Sequence, residues 1–272
     1  MRVQFPLTMN SLFTIDVPWI AWSIMSVSAI MIGVSKTGIP GVGILSVTLV
    51  ALAVPTKHST GLILPMLIFA DLLAVAIYRR HAQWSHLVRL MPSAAVGVVI
   101  GFLLLDLVND QQLRPIIGGI VLTMLVLGYL RNRNASKLEP PKHWLFPMTM
   151  GVLAGVTTMM ANAAGPIMVI YLAAMRLPKE QFIGTAAWYF LLLNCFKVPF
   201  SASLDLINPQ SIQMNLVLLP MIVLGALLGF FVLKRLPQKG FAAVVQILAA
   251  VGAISLLIPG GGGQAPTDAS EM

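Results

Sequence analysis

Residues 17–54 read VPWIAWSIMSVSAIMIGVSKTGIPGVGILSVTLVALAV, and Lys36 is the one charge among them. The break in this apolar run is Gly33-Val-Ser-Lys-Thr-Gly-Ile-Pro-Gly-Val-Gly43, where a lysine, two hydroxyls, several glycines and Pro40 stand together. Glycine and proline end a helix and leave backbone N–H groups without partners. The stretch is too long for one membrane crossing and tight for two, so it reads as a helical hairpin with short arms, spanning or re-entrant. A second stretch behaves alike. Residues 144–175 carry no charge and would run about 48 Å as one helix, against a hydrocarbon thickness of about 30 Å.

The composition around these hairpins points the same way. Of 272 residues, 58% are hydrophobic and 10% charged, where a soluble domain carries about a quarter charged. That excludes a water-soluble globule, a disordered chain and a disulfide scaffold, and Cys195 has no second cysteine to pair with. The net charge of +8 would point to nucleic acid in a soluble protein. Here it reads as topology, and nucleic acid is not an expected partner.

Apolar segments of membrane-crossing character lie at 19–35, 40–54, 60–78, 88–106 and 113–130, then at 145–160, 164–176, 181–199, 214–233 and 241–258. The polar stretch 131–143 separates five from five. The expected fold is therefore an all-α polytopic membrane protein of about ten helices or half-helices. Its parts are an interfacial segment 1–16, a first repeat 17–130, a linker 131–143, a second repeat 144–258 and a flexible tail 259–272. The N-terminal end lacks the pattern of a cleaved signal. Loops 79–89, 131–143, 176–180 and 234–240 hold twelve of the 17 basic residues, among them Arg79, Arg80, Arg131, Arg176 and Lys234. The positive-inside rule makes that side cytoplasmic and both termini external, in a bacterial inner membrane.

The halves echo one another. Pro55, Gly61 and Asp71 fall on Pro178, Gly184 and Asn194 at an offset of 123, and Pro92, Gly97 and Gly101 fall on Pro220, Gly225 and Gly229 at 128. Five spans per half put the two copies upside down to each other, the inverted arrangement of many transporters, whose sites lie at broken helices near the midplane. The Gly-xxx-Gly pairs serve close helix packing.

The candidate site follows from charge where charge is costly. A charge within a span costs about 2.5–3.5 kcal/mol on insertion scales, so it faces a cavity or a partner. Lys36, Thr37 and Gly38 at the first break, with Asn162, Ala163 and Gly165 at the second, are the candidate contacts for an anion, helped by helix N-termini. The competing readings are a lysine capping a turn at the cytoplasmic surface and a plain asparagine turn. Asp71, Asn194 and Lys197 are candidates for coupling or gating; an intramembrane acid can carry a proton, bind sodium or serve as a structural ion pair. Trp188 and Tyr189 line a cavity or pack. The histidines lie at loops without metal-ligand spacing. No metal or cofactor is therefore expected beyond a coupling ion, H+ or Na+, and an enzyme is not expected.

The segment GVSKTGIPGVGIL, the run VALAVPTKHSTGLILP (50–65) with the acid after it, YRRHAQW (78–84) and GVLAGVTTMMANAAGPIMVIYL (151–172) together resemble the sulfite exporter TauE/SafE family of membrane permeases. The resemblance covers about residues 19–258; the sequence departs from it in reading NAAG at 162–165 in place of a glycine-richer turn. It implies movement of sulfite, sulfoacetate and related small anions, whereas the residues alone indicate only a small anion. The expected function is a secondary transporter of such an anion working by alternating access. An anion channel and a non-transporting assembly factor are the competitors. The expected partners are the anion and the lipid bilayer, with a homodimer left open.

Overall fold

A computed structural model describes residues 19–40, 42–53, 56–105, 143–204, 206–207, 209–237, 240 and 247. The expected span at 113–130, that at 241–258 apart from residue 247, the segment 1–16, the linker up to residue 142 and the tail 259–272 lie outside the described residues.

Among the described residues the chain is all helical. The helices are α1 (Trp19–Thr37), α2 (Val42–Ala53), α3 (Thr56–Tyr78), α4 (Trp84–Leu105), α5 (Leu145–Ala161), α6 (Gly165–Ala174), α7 (Lys179–Ser203) and α8 (Pro209–Arg235), with a single 3-10 turn at Arg79–His81. Among the described residues four segments are long and apolar enough to cross a bilayer: Gly61–His81, Trp84–Leu105, Lys179–Ser203 and Ser211–Arg235. Pro65, Pro92, Pro199 and Pro220 sit inside them, as neighbouring helices in a membrane allow.

Both expected hairpins form. The 12 residues of α2 and the 10 of α6 reach only about 18 and 15 Å, short of a full crossing. The second break has a clear local cause. Asn162 ends α5 in the left-handed region at φ 51°, which asparagine tolerates better than most residues. Its N–H donates to Thr158 O at 3.0 Å and that of Ala163 to Thr157 O at 3.2 Å, closing the helix end. Proline in the first turn of α6 then starts the return arm, where its missing N–H costs nothing. At the first break, the N–H groups of Gly38 and Ile39 both donate to Val34 O.

Glycine faces set the helix pairs. A Cβ on Gly33 would strike the backbone of Ile222, Gly225 and Ala226, and one on Gly225 would strike Ile30, so α1 and α8 touch backbone to backbone. The same holds between α4 and α5, where a Cβ on Gly97 would strike Val152 and Gly155, and one on Gly155 would strike Ala94 and Gly97. With no hydrophobic driving force between helices in lipid, such close van der Waals packing is a main source of association. Helix α3 runs antiparallel to α7: Gly61 lies on Leu206, Asp71 on Asn194, and Gly184 on the Tyr78 backbone. Outward, Val88, Val96 and Leu103 on α4 and Leu216, Leu227 and Phe231 on α8 are exposed, an apolar surface of the kind that faces lipid.

Basic residues collect at one end of the bundle. There Lys179 Nζ donates to the carbonyls of Leu233 and Leu236, capping α8, and His81 lies 3.4 Å from Glu180. Arg89 and His143 share a cavity at the α4, α5 and α6 ends.

Candidate functional site

Asp71 is fully buried on α3, ten residues from either end of the apolar stretch Gly61–His81 and so about 15 Å from each. Two side chains hold it. Lys36 Nζ, in the last turn of α1, stands 2.8 Å from Oδ1 as an ion pair. Asn194 on α7 donates Nδ2–H to Oδ2 at 2.8 Å. The Lys36 ammonium also lies 4.1 Å from the centre of the Phe190 ring, within cation–π range. Lys36 is thus a lysine directed into the middle of a span; the reading of it as a surface cap for a turn fails.

Lys197 is the second buried cation, 1% exposed. Its Nζ donates to Asn162 Oδ1 at 2.6 Å, to Thr158 O at 2.8 Å and to Thr158 Oγ1 at 3.3 Å. An ammonium has three N–H donors and no acceptor capacity, and three oxygens meet it here. They lie at the C-terminal end of α5, where the helix dipole is negative. Lys197 therefore ties α7 to the broken end of α5 and fixes which way the Asn162 amide points.

Between the two hairpin tips lies a cavity of about 60 Å³, room for a few waters or a small anion. Its polar lining is Ser35, Lys36, Asn162 and Asn194, and its wall includes Gly43 in the first turn of α2 and Gly165 at the start of α6. Two helix N-termini thus face a space that also holds a lysine ammonium, an arrangement that favours negative charge. Nothing stands within 4 Å of where a Cβ on Gly165 would sit, so that position opens onto the cavity. Phe190, Ala186, Ala187 and Ile183 supply an apolar wall from the same face of α7 as Asn194.

Not every expected contact joins this group. Thr37 is fully buried on the far side of α1, where its hydroxyl bonds Gly33 O at 3.1 Å and Ala226 O at 2.6 Å, and its carbonyl accepts from Tyr78 OH at 2.9 Å. Gly38 packs on Gly229, and Ala163 is buried outside the cavity lining. Neighbouring residues on a helix point about 100° apart, so Lys36 and Thr37 serve different faces. Trp188 and Tyr189 pack, Trp188 against Trp84 with ring centres 5.2 Å apart. Ser35 and Phe190 are among the lining residues that sequence reasoning passed over. Phe190 had a signal, four residues before Asn194 on one helical face.

The fold and site together define a helical membrane protein in which one lysine, ion-paired to a buried carboxylate, faces a cavity between two broken-helix hairpins. The chain belongs to the Sulfite exporter TauE/SafE family, whose model matches residues 25–256. Membership implies a membrane permease of sulfur-containing anions. No curated protein and no solved structure shows significant similarity to the chain.

Proposed function

We propose that this protein is a secondary transporter of a small anion, sulfite or an organosulfonate such as sulfoacetate, and that the anion binds in the cavity between the hairpin tips. The observation that carries this reading is Lys36, an ammonium set midway along the α3 span and lining a cavity onto which the first turns of α2 and α6 open. Lys36 supplies the attractive charge, Asn162 and Asn194 supply amide groups, and Gly165 lets an oxygen approach the α6 backbone. Asp71, Asn194 and Lys197 belong to coupling or gating: they hold the charges in register while the cavity is empty.

Alternating access between two inverted halves is the mechanism we favour. In its support, contacts recur under the two offsets with one shift between the hairpins: Gly33 on Gly225 corresponds to Gly155 on Gly97, and Gly229 against Val34 and Thr37 corresponds to Gly101 against Val156 and Met159. Asp71 and Asn194, equivalent by the 123 offset, pair with each other, as residues beside a two-fold axis do. The clustering of basic side chains at one end favours a cytoplasmic position for that end and an external one for both termini.

Flux of labelled sulfite or sulfoacetate into proteoliposomes tests the reading. Saturable uptake and counterflow are expected, with loss of both in Lys36→Ala; undiminished transport in that variant removes the anion site from this cavity. Conductance far above carrier turnover would identify a channel instead.

A further inference from the structure

Resting on the cavity as an anion site, we propose that Asp71 is a proton carrier: a dianion that enters at Lys36 draws the ammonium off Asp71, and the freed carboxylate takes up one proton, so that anion and proton occupy the site together.

The geometry makes Lys36 a shared partner. Its side chain is 11% exposed and lines the cavity, whereas Asp71 behind it is 0% exposed. An anion in the cavity therefore reaches the ammonium and meets Asp71 only through it. Two anionic groups on one ammonium in a buried site repel each other, and the pair is relieved when one takes a proton. When the group at Lys36 is a sulfonate, which holds no proton in water, the carboxylate of Asp71 is the group that takes it. The proton comes from hydronium and leaves a water molecule; a carboxylate lone pair becomes the new O–H bond.

The receiving side chain is already in place. Asn194 uses Nδ2–H on Asp71 Oδ2, while its own Oδ1 is buried without a hydrogen-bond partner and Asp71 Oδ1 is met by Lys36. A buried acceptor without a donor is costly, and once the ammonium leaves, Asp71 Oδ1 becomes a second one. A proton on Asp71 turns one acceptor into a donor for the other, completing an acid–amide pair of two hydrogen bonds. Sodium fits this place poorly. A hard cation asks for several oxygen ligands, and the carboxylate here is met by an ammonium and an amide N–H.

The charges around Asp71 are few. Helix α1 presents Lys36, and α7 carries Lys197 one turn beyond Asn194. The described residues of α2 and α5 carry no charge. Helix α8 has Lys234 and Arg235 only at its end, beyond Phe230, which meets Tyr78 at the end of α3. On α3 itself Lys57 and His58 stand in the first turn, more than three turns from Asp71.

Proteoliposomes with a trapped pH dye decide it, at alkaline pH where sulfite and sulfoacetate are both dianions. For the wild type, uptake of sulfoacetate is expected to acidify the lumen by one proton per anion, and an inward proton gradient to drive its accumulation. Asp71→Asn, an uncharged mimic of the protonated acid, is expected to keep anion–anion exchange and to lose gradient-driven uptake. Asp71→Glu is expected to restore coupling. Sulfoacetate uptake without acidification in the wild type, or gradient-driven uptake of it that persists in Asp71→Asn, overturns the proton role and leaves the anion transporter standing. Loss of exchange in an Asp71→Asn protein that elutes as the wild type does overturns it also. Failure of the wild type to move either anion removes the transporter reading and this inference with it.

Discussion

The amide of Asn194 and the carboxylate of Asp71 meet at 2.8 Å across 123 residues of chain, a separation equal to the offset at which the two halves echo each other. Two residues that the sequence offset places in correspondence are partners in one buried contact. The pair bridges α3 and α7, and Lys36 and Lys197 stand on either side of it, one facing Asp71 and the other facing the end of α5.

Removing one member of the ion pair strands the other. Lys36→Met leaves the Asp71 carboxylate buried without its cation, and a loss on the order of 3–5 kcal/mol is expected. Lys36→Met with Asp71→Asn removes both charges and is expected to recover most of that stability without recovering transport. Unfolding in detergent, followed beside proteoliposome flux, separates the two effects. A double variant as unstable as the single one would mean that packing, not charge, dominates.

Lys197 acts through Asn162. With Lys197→Met, Thr158 and Asn162 lose their shared donor, and each buried polar group left unsatisfied costs about 1–3 kcal/mol. The amide orientation at the cavity is released as well, so KM for the anion is expected to rise by about tenfold, equivalent to ~1.4 kcal/mol. Lys197→Arg is not expected to rescue it, because a planar guanidinium does not reproduce a point charge among three oxygens. Equal KM values for Lys197→Met and wild type would detach Lys197 from the site.

Gly165 offers a substitution that touches the cavity and little else. Gly165→Ala places a methyl in open space, so stability is expected to stay within about 0.5 kcal/mol of wild type. Transport of sulfoacetate should suffer more than that of sulfite, since the cavity holds only about 60 Å³. Equal flux ratios for the two anions in variant and wild type would show that the substrate does not pass this position.

The paired glycine faces predict matched defects. Gly33→Leu and Gly97→Leu each force a side chain into a backbone contact, and a loss of about 1–3 kcal/mol or more is expected from each. Thermal unfolding of the two variants is the measurement. If one is silent while the other fails, the halves do not share their packing.

The basic end can be located directly. Cysteines at His81 and Arg176, in a protein whose Cys195 is replaced by serine, should react with an impermeant thiol reagent only from the cytoplasmic side of oriented membranes. Labelling from outside reverses the topology.

Much of this was legible in the chain before folding. Lys36, Asp71 and Lys197 stood out because charge is rare and costly in apolar sequence, and glycine and proline marked both broken hairpins because they free the backbone. Pairing was not legible. Nothing local tells that Lys36 seeks Asp71 while Lys197 seeks Asn162, since those distances close only when α1, α3, α5 and α7 pack. Thr37 illustrates the same limit: adjacency in sequence set it beside Lys36, yet a 100° turn of the helix gave its hydroxyl to Ala226. Helical class and the breaks follow from local energetics, in which each residue's cost in lipid is nearly independent of its neighbours. Which buried groups share a cavity depends on the relative rotation of helices, set by contacts such as Gly33 on Gly225 that lie far apart in the chain.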